Sequence, residues 1–156
     1  MILPSKGGGD YDYDQISSYL ANDGYRVIRP ESRGINGSQA PMDTPTLHNF
    51  TADVASVMDK VHTGPAVVVG HAWVSQPARV LAVDRPDLVK GVVLAAASIG
   101  KLPPRSNEKP YGRMVEAIKG AGNYALPEAQ RIKYLEQAFF APGNDARAWL
   151  AGWLAD

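Results

Sequence analysis

Cysteine is absent from the 156 residues. That excludes a disulfide framework, a thiolate zinc site and a cysteine nucleophile. It fits a reducing compartment, so a cytoplasmic location is the expectation. Charge of either sign is not in excess: Lys and Arg total 16, Asp and Glu total 16, and the formal net charge is zero. Nucleic-acid binders normally carry a basic surplus, so no nucleic-acid partner is expected. Long apolar runs are missing too. A run such as residues 91–97 is far short of the roughly 18 residues of a membrane span. No basic-then-apolar signal peptide opens the chain, so no membrane role is expected. Low complexity is also lacking. Gly (15) and Pro (12) are plentiful, but they stand singly or in short groups between apolar runs and mark turns. With 45% hydrophobic and 21% charged residues, the composition is that of a folded globular chain, not a disordered or fibrous one.

The apolar pattern lays out alternating strands and helices. Met1-Ile2-Leu3 is a strand stub that runs into a Gly-rich loop, Pro4 to Gly9. Ile16, Tyr19 and Leu20 share one helical face, which predicts a helix over 14–22 with Gly24 as its stop. Residues 25–28 predict a short strand ended by Pro30. A loop follows, and Thr46 is a candidate N-cap for a helix whose apolar face is Leu47, Phe50, Val54, Val57, Met58 and Val61. Residues 66–69 and 89–97 lack polar alternation and predict strands buried on both faces. Between them lie Gly70 and a helix over 75–84, closed by Arg85-Pro86. Four strands joined through helices predict an α/β protein with a parallel sheet and right-handed crossovers. After Ser98 the character changes. A Pro-, Lys- and Arg-bearing linker precedes three predicted helices, over 111–119, 127–140 and 145–154. Residues 1–98 are therefore expected to form the α/β core and residues 99–156 a helical lid or subdomain.

Three segments meet at the ends of these strands. They are Gly70-His71-Ala72-Trp73-Val74, the loop after the first strand, and Glu31-Ser32-Arg33-Gly34-Ile35-Asn36-Gly37-Ser38. With Asp53 and Arg85-Pro86, they make residues 3 to about 97 resemble the α/β-hydrolase fold, and the helical tail resembles that family's cap more loosely. The resemblance implies a central parallel sheet with helices on both faces and a cap begun within this chain. In the family's G-x-S-x-G pattern, a strand turns sharply into a helix and presents a nucleophile. Position 72 takes that place, and its methyl group is chemically inert. The resemblance further implies oxyanion donors at the backbone N–H of Trp73 and, in the loop containing Gly7, at Lys6.

The sequence departs from the family at several points. Val74 replaces the second glycine of the turn, and Pro4-Ser5 replaces the usual His-Gly pair. By the resemblance, the catalytic acid and histidine come from strands after the cap, beyond Asp156, and further strands precede Met1. Open sheet edges would then invite pairing between chains, as a homo-oligomer or with another piece.

The remaining chemistry-bearing residues have simpler readings. His71 reads as a packing and hydrogen-bonding residue lining the pocket; polarising a bound group is its alternative role. Ser98, at a strand end, could touch substrate or cap the strand. Ser75 reads as structural or an N-cap, and Arg33 and Ser38 each as a buried-pair or loop-bracing residue. His48 and His62 lack ligand spacing, so no metal is expected. Gly7 to Gly9 are followed by no P-loop Lys-Ser/Thr, and G-x-G-x-x-G is absent, so no cofactor is expected. The aromatic residues Tyr111, Tyr124, Phe139, Phe140, Trp149 and Trp153 read as core of the helical region, with a pocket lining as the other reading. The functional expectation is a hydrolase for a small neutral or partly apolar ligand. If alanine is the native residue at position 72 and not a replacement of serine, its mechanism would use no serine: a later histidine would activate water, and the 156 residues alone would show little turnover. The alternative is an inactive binding or scaffold protein, or a truncated fragment, on the same fold.

Overall fold

The computed structural model describes residues 1–5, 9–35, 37–97 and 109–150, with backbone only at 109–111 and 148. The expectations at Lys6, Gly7, Ser98 and Trp153 lie outside these residues. The chain divides into two compact units, residues 1–100 and 101–155.

The first unit holds β1 (Ile2–Leu3), α1 (Asp14–Asn22), α2 (Leu47–Lys60), β2 (Ala66–His71), α3 (Ser75–Asp84) and β3 (Val89–Ala95). The strands form a parallel sheet in the order β1-β2-β3. Leu3 pairs with Gly70 and Gly70 with Leu94, so one rung runs through the end of β2. Helix α2 begins where Thr46 predicts: its hydroxyl accepts from the Asn49 N–H, and the Asn49 side chain reaches back to the Thr46 N–H. Those two contacts satisfy amides that a helix start leaves unpaired. Helix α2 packs on α3, and α3 on β2 and β3. Ala55 and Met58 of α2, Ala78 and Leu81 of α3, Val68 of β2, and Leu3, Val74 and Leu88 make one buried cluster.

Two expectations fail here. Residues 25–28 are not a strand, so the described sheet has three strands instead of four. Ile28 contributes only its carbonyl, which accepts from the Ile2 N–H at 2.9 Å. β1 is two residues long, Tyr25 is 66% exposed, and Pro30 has no N–H to extend a ladder. The second failure concerns burial. β2 and β3 are not covered on both faces: Val67 and Val93 are 45% and 49% exposed. Val68 lies under α3, and successive strand residues point to opposite faces, so Val67 points away from that helix.

Arg85, after α3, bridges elements. Its guanidinium donates to both Asp59 oxygens, at 2.9 and 3.1 Å, and to Asp87 at 2.8 Å. These bonds hold both carboxyls below their ordinary value and raise the guanidinium. An acid whose folded pKa is depressed stabilises the fold above its unfolded pKa. The contribution is lost as pH falls through the folded pKa. Stability is therefore expected to be flat with respect to this cluster down to about pH 4 and to fall below it. In Arg85→Met the acid limb of a thermal-melting profile should be shallower; an unchanged limb would show that the cluster contributes nothing. The groups are exposed, so the effect is small.

The second unit holds α4 (Lys109–Ala121), α5 (Glu128–Phe139) and α6 (Arg147–Leu150). α5 packs on α4 and on α6, around Ala121, Leu135, Ala146 and Leu150. Gly120 lets the helices approach, since a Cβ there would lie 2.4 Å from the Tyr134 ring. Phe140 and Phe139 pack on Trp149 at 5.1 and 5.6 Å; Phe140 and Trp149 lie against the core of this unit, whereas Phe139 is 45% exposed. Arg131 is buried, donates to the Ala121 carbonyl at 2.9 Å and lies 4.1 Å over the Tyr124 ring. It ties the end of α4 to α5.

Candidate functional site: the turn at Ala72

β2 passes into α3 through a tight turn at Ala72–Val74. Ala72 has φ +52°, in the left-handed region that an L residue with a Cβ enters at a cost of about 1 kcal/mol. Gly70 makes the turn possible. A Cβ on it would sit 2.7 Å from the Ser75 Cα and 2.9 Å from both the Ala78 Cβ and the Val74 carbonyl oxygen. Val74, where the family pattern has glycine, instead turns its side chain into the core and is 4% exposed. Ser75 is fully buried against Gly70. The turn thus holds residue 72 in the strained geometry that presents a side chain at a strand end, with a methyl group as the side chain.

Facing this turn is a contact that sequence reasoning missed. The Tyr13 hydroxyl lies 2.9 Å from His71 Nδ1 and accepts from the Ser5 backbone N–H at 3.1 Å. The phenol oxygen thus bridges the Ser5 amide and the imidazole ring, so the two share one hydrogen-bonded chain. Burial raises the Tyr13 hydroxyl above its ordinary value. Burial also raises the Asp12 carboxyl, with His71 pulling it back. His71 therefore joins the loop after β1 to the turn. Tyr13 sits in a Tyr-Asp-Tyr stretch with no chemical motif, so nothing in the sequence marks it.

On the α2 side, Arg33 grips Asp53 through two bonds, at 2.6 and 2.8 Å, and donates to the carbonyls of Pro41 and Asn49. Its guanidinium lies 5.5 Å over Phe50, and Phe50 packs edge-on to Trp73 at 5.1 Å. Thus the 31–38 segment braces the residue that follows Ala72. A cavity of about 230 Å³ opens between residues 30–40, α2 and Trp73, and neither Ala72 nor His71 lines it.

Elsewhere His48 pairs with Asp84 on the surface at 2.6 Å, and His62 is exposed. Among the described residues no three His, Asp or Glu side chains are arranged to hold a metal ion, and no helix is long and apolar enough to cross a membrane.

Residues 3–120 match the α/β hydrolase fold family. Epoxide hydrolase A of Mycobacterium tuberculosis is 36% identical over 90 residues, covering 54% of this chain and 28% of that protein. An epoxide hydrolase of Caballeronia sordidicola is 38% identical over 86 residues, covering 53% and 26%. An esterase structure from Exiguobacterium antarcticum superposes with a TM-score of 0.63 at 15% identity, over 99% of this chain and 63% of the other, a likeness of fold alone. The segments matched in the two epoxide hydrolases are thus about a quarter of those proteins' length. The match over 3–120, on a parallel sheet whose second strand turns sharply into a helix, places the chain in the α/β-hydrolase fold family.

Proposed function

We propose that this protein is a hydrolase of its family acting on a small neutral, partly apolar substrate, with position 72 facing the reacting atom but forming no bond to it. The observation that carries the reading is the strained φ of Ala72 on an intact turn. Such strain persists where the surrounding packing fixes it, here at a strand-to-helix turn of the kind that presents a reacting group. The start of the helix after Ala72 offers the Trp73 N–H to a developing anion, and a donor from the Lys6–Gly7 loop would complete the pair. Water takes the nucleophile's place, activated by a histidine supplied outside the described residues. The names of the relatives point to epoxides as the substrate class.

Ala72→Asp tests the reading. A carboxylate is ionised at neutral pH and needs no base to attack an epoxide carbon. The carboxylate oxygen would bond to that carbon, the ring C–O bond would break, and the ring oxygen would take a proton from solvent. Incubation with styrene oxide is expected to add the full mass of the epoxide to Ala72→Asp and nothing to the parent protein, as read by intact mass. Acylation of Ala72→Ser by p-nitrophenyl acetate, with Ala72→Asp unmodified, would replace epoxides by esters. Ala72→Asp needs no base, so if it is not labelled at position 72 the epoxide reading fails. The second reading, a binding protein on a hydrolase fold, then stands; the inert methyl of Ala72 favours it.

A further inference from the structure

We propose that the cavity between residues 30–40, α2 and Trp73 is a binding site for a small, uncharged, largely apolar molecule, separate from position 72. Its walls are mostly apolar: Leu3, Phe50, Val54, Val57, Trp73 and Pro77. Its volume, about 230 Å³, exceeds the roughly 150 Å³ that suffices for benzene in an engineered apolar cavity. One aromatic ring with a short substituent therefore fits. The charged groups at its edge select against anions. Arg33 and Asp53 are bound to each other by two hydrogen bonds, and the guanidinium is also held by two carbonyls. An anionic ligand would have to displace Asp53 from Arg33 and would also meet Glu31, which lines the cavity. A neutral molecule needs no such displacement.

The site also touches the turn. Trp73 forms part of its wall and follows Ala72 directly, while Phe50 holds the indole edge-on. A ligand in the cavity would press on the Trp73 ring, so that side chain reports occupancy. Binding at this place does not depend on the chemistry proposed for residue 72, because Ala72 and His71 do not line the cavity.

The test is titration of the intact chain with benzyl alcohol, followed by the Trp73 indole N–H resonance, which Trp73→Phe assigns. Benzoate serves as the anionic counterpart of similar size. Val57→Phe and Ala40→Leu fill the cavity from different walls, so one informative variant remains if the other does not fold. Saturable movement of the Trp73 signal by benzyl alcohol is expected, weakened about tenfold or more in the filled variants and for benzoate. Any one of three results would overturn the proposal: no saturable movement at millimolar benzyl alcohol, equal binding in a folded filled variant, or equal binding of benzoate.

Discussion

Gly70→Ala is expected to destabilise the first unit by about 3 kcal/mol, the upper part of the range for overpacking a dense interior. The added Cβ would lie 2.7 Å from the Ser75 Cα and 2.9 Å from the Ala78 Cβ and the Val74 oxygen. These are backbone atoms or atoms fixed to backbone, so no side-chain rotation relieves the overlap. Strand β2 cannot move away, because Gly70 is paired on both sides, with Leu3 and with Leu94. Helix α3 cannot move away cheaply either, since Ala78 and Leu81 are fully buried against Met58 and Val68. The loss is steric: Gly70 lies outside the positive-φ set, so its backbone is one that alanine also adopts. Urea denaturation followed by circular dichroism measures it. A loss below about 1 kcal/mol would mean that α3 slides on the sheet more easily than its packing implies.

Leu81→Ala is expected to cost a comparable amount, about 3 kcal/mol, by the opposite mechanism of leaving a void. Leu81 is fully buried and sits where α3 meets α2 and the sheet, in the cluster with Ala55, Met58, Val68 and Leu88. Helix α2, strand β2 and the turn before β3 contribute these neighbours, so collapse into the void would have to move all three together. Val83→Ala on the same helix is the control. Val83 is 78% exposed, and its truncation should change stability by no more than about 0.5 kcal/mol. The contrast is read from the same denaturation curves. If the two variants unfold alike, α3 is not the keystone between α2 and the sheet.

Where a signal was local, it was legible in the sequence. Helices over 14–22 and 75–84 have the predicted bounds because an apolar stripe, Gly24 and the Arg85-Pro86 stop all act within a few residues. The Thr46 start of α2 is legible for the same reason: the cap and its partner are three residues apart. The Gly70 to Val74 turn was recognisable by its place between two apolar runs. The strand expected at 25–28 was not formed, because propensity cannot report whether a neighbour is long enough to pair with it. Tyr13 was missed because its partner, His71, is 58 residues away. The cavity was missed for the same kind of reason. Its walls come from β1, the 30–40 loop, α2 and the turn, and no single stretch contains them.

By itself, then, the sequence determined the neutral charge, the alternation of strands and helices, the hydrolase-like order of motifs, and the chemical inertness of residue 72. Composition and short-range periodicity suffice for the charge and the alternation, and the resemblance to the family supplies the order of motifs and the place of residue 72. Only the tertiary structure decided which face of β2 lies under α3, that Val74 turns inward, that Tyr13 is hydrogen-bonded to His71, and that Arg33 and Phe50 brace Trp73. Each depends on contacts between segments far apart in the chain, where the direction of a side chain follows from packing and not from its neighbours in sequence.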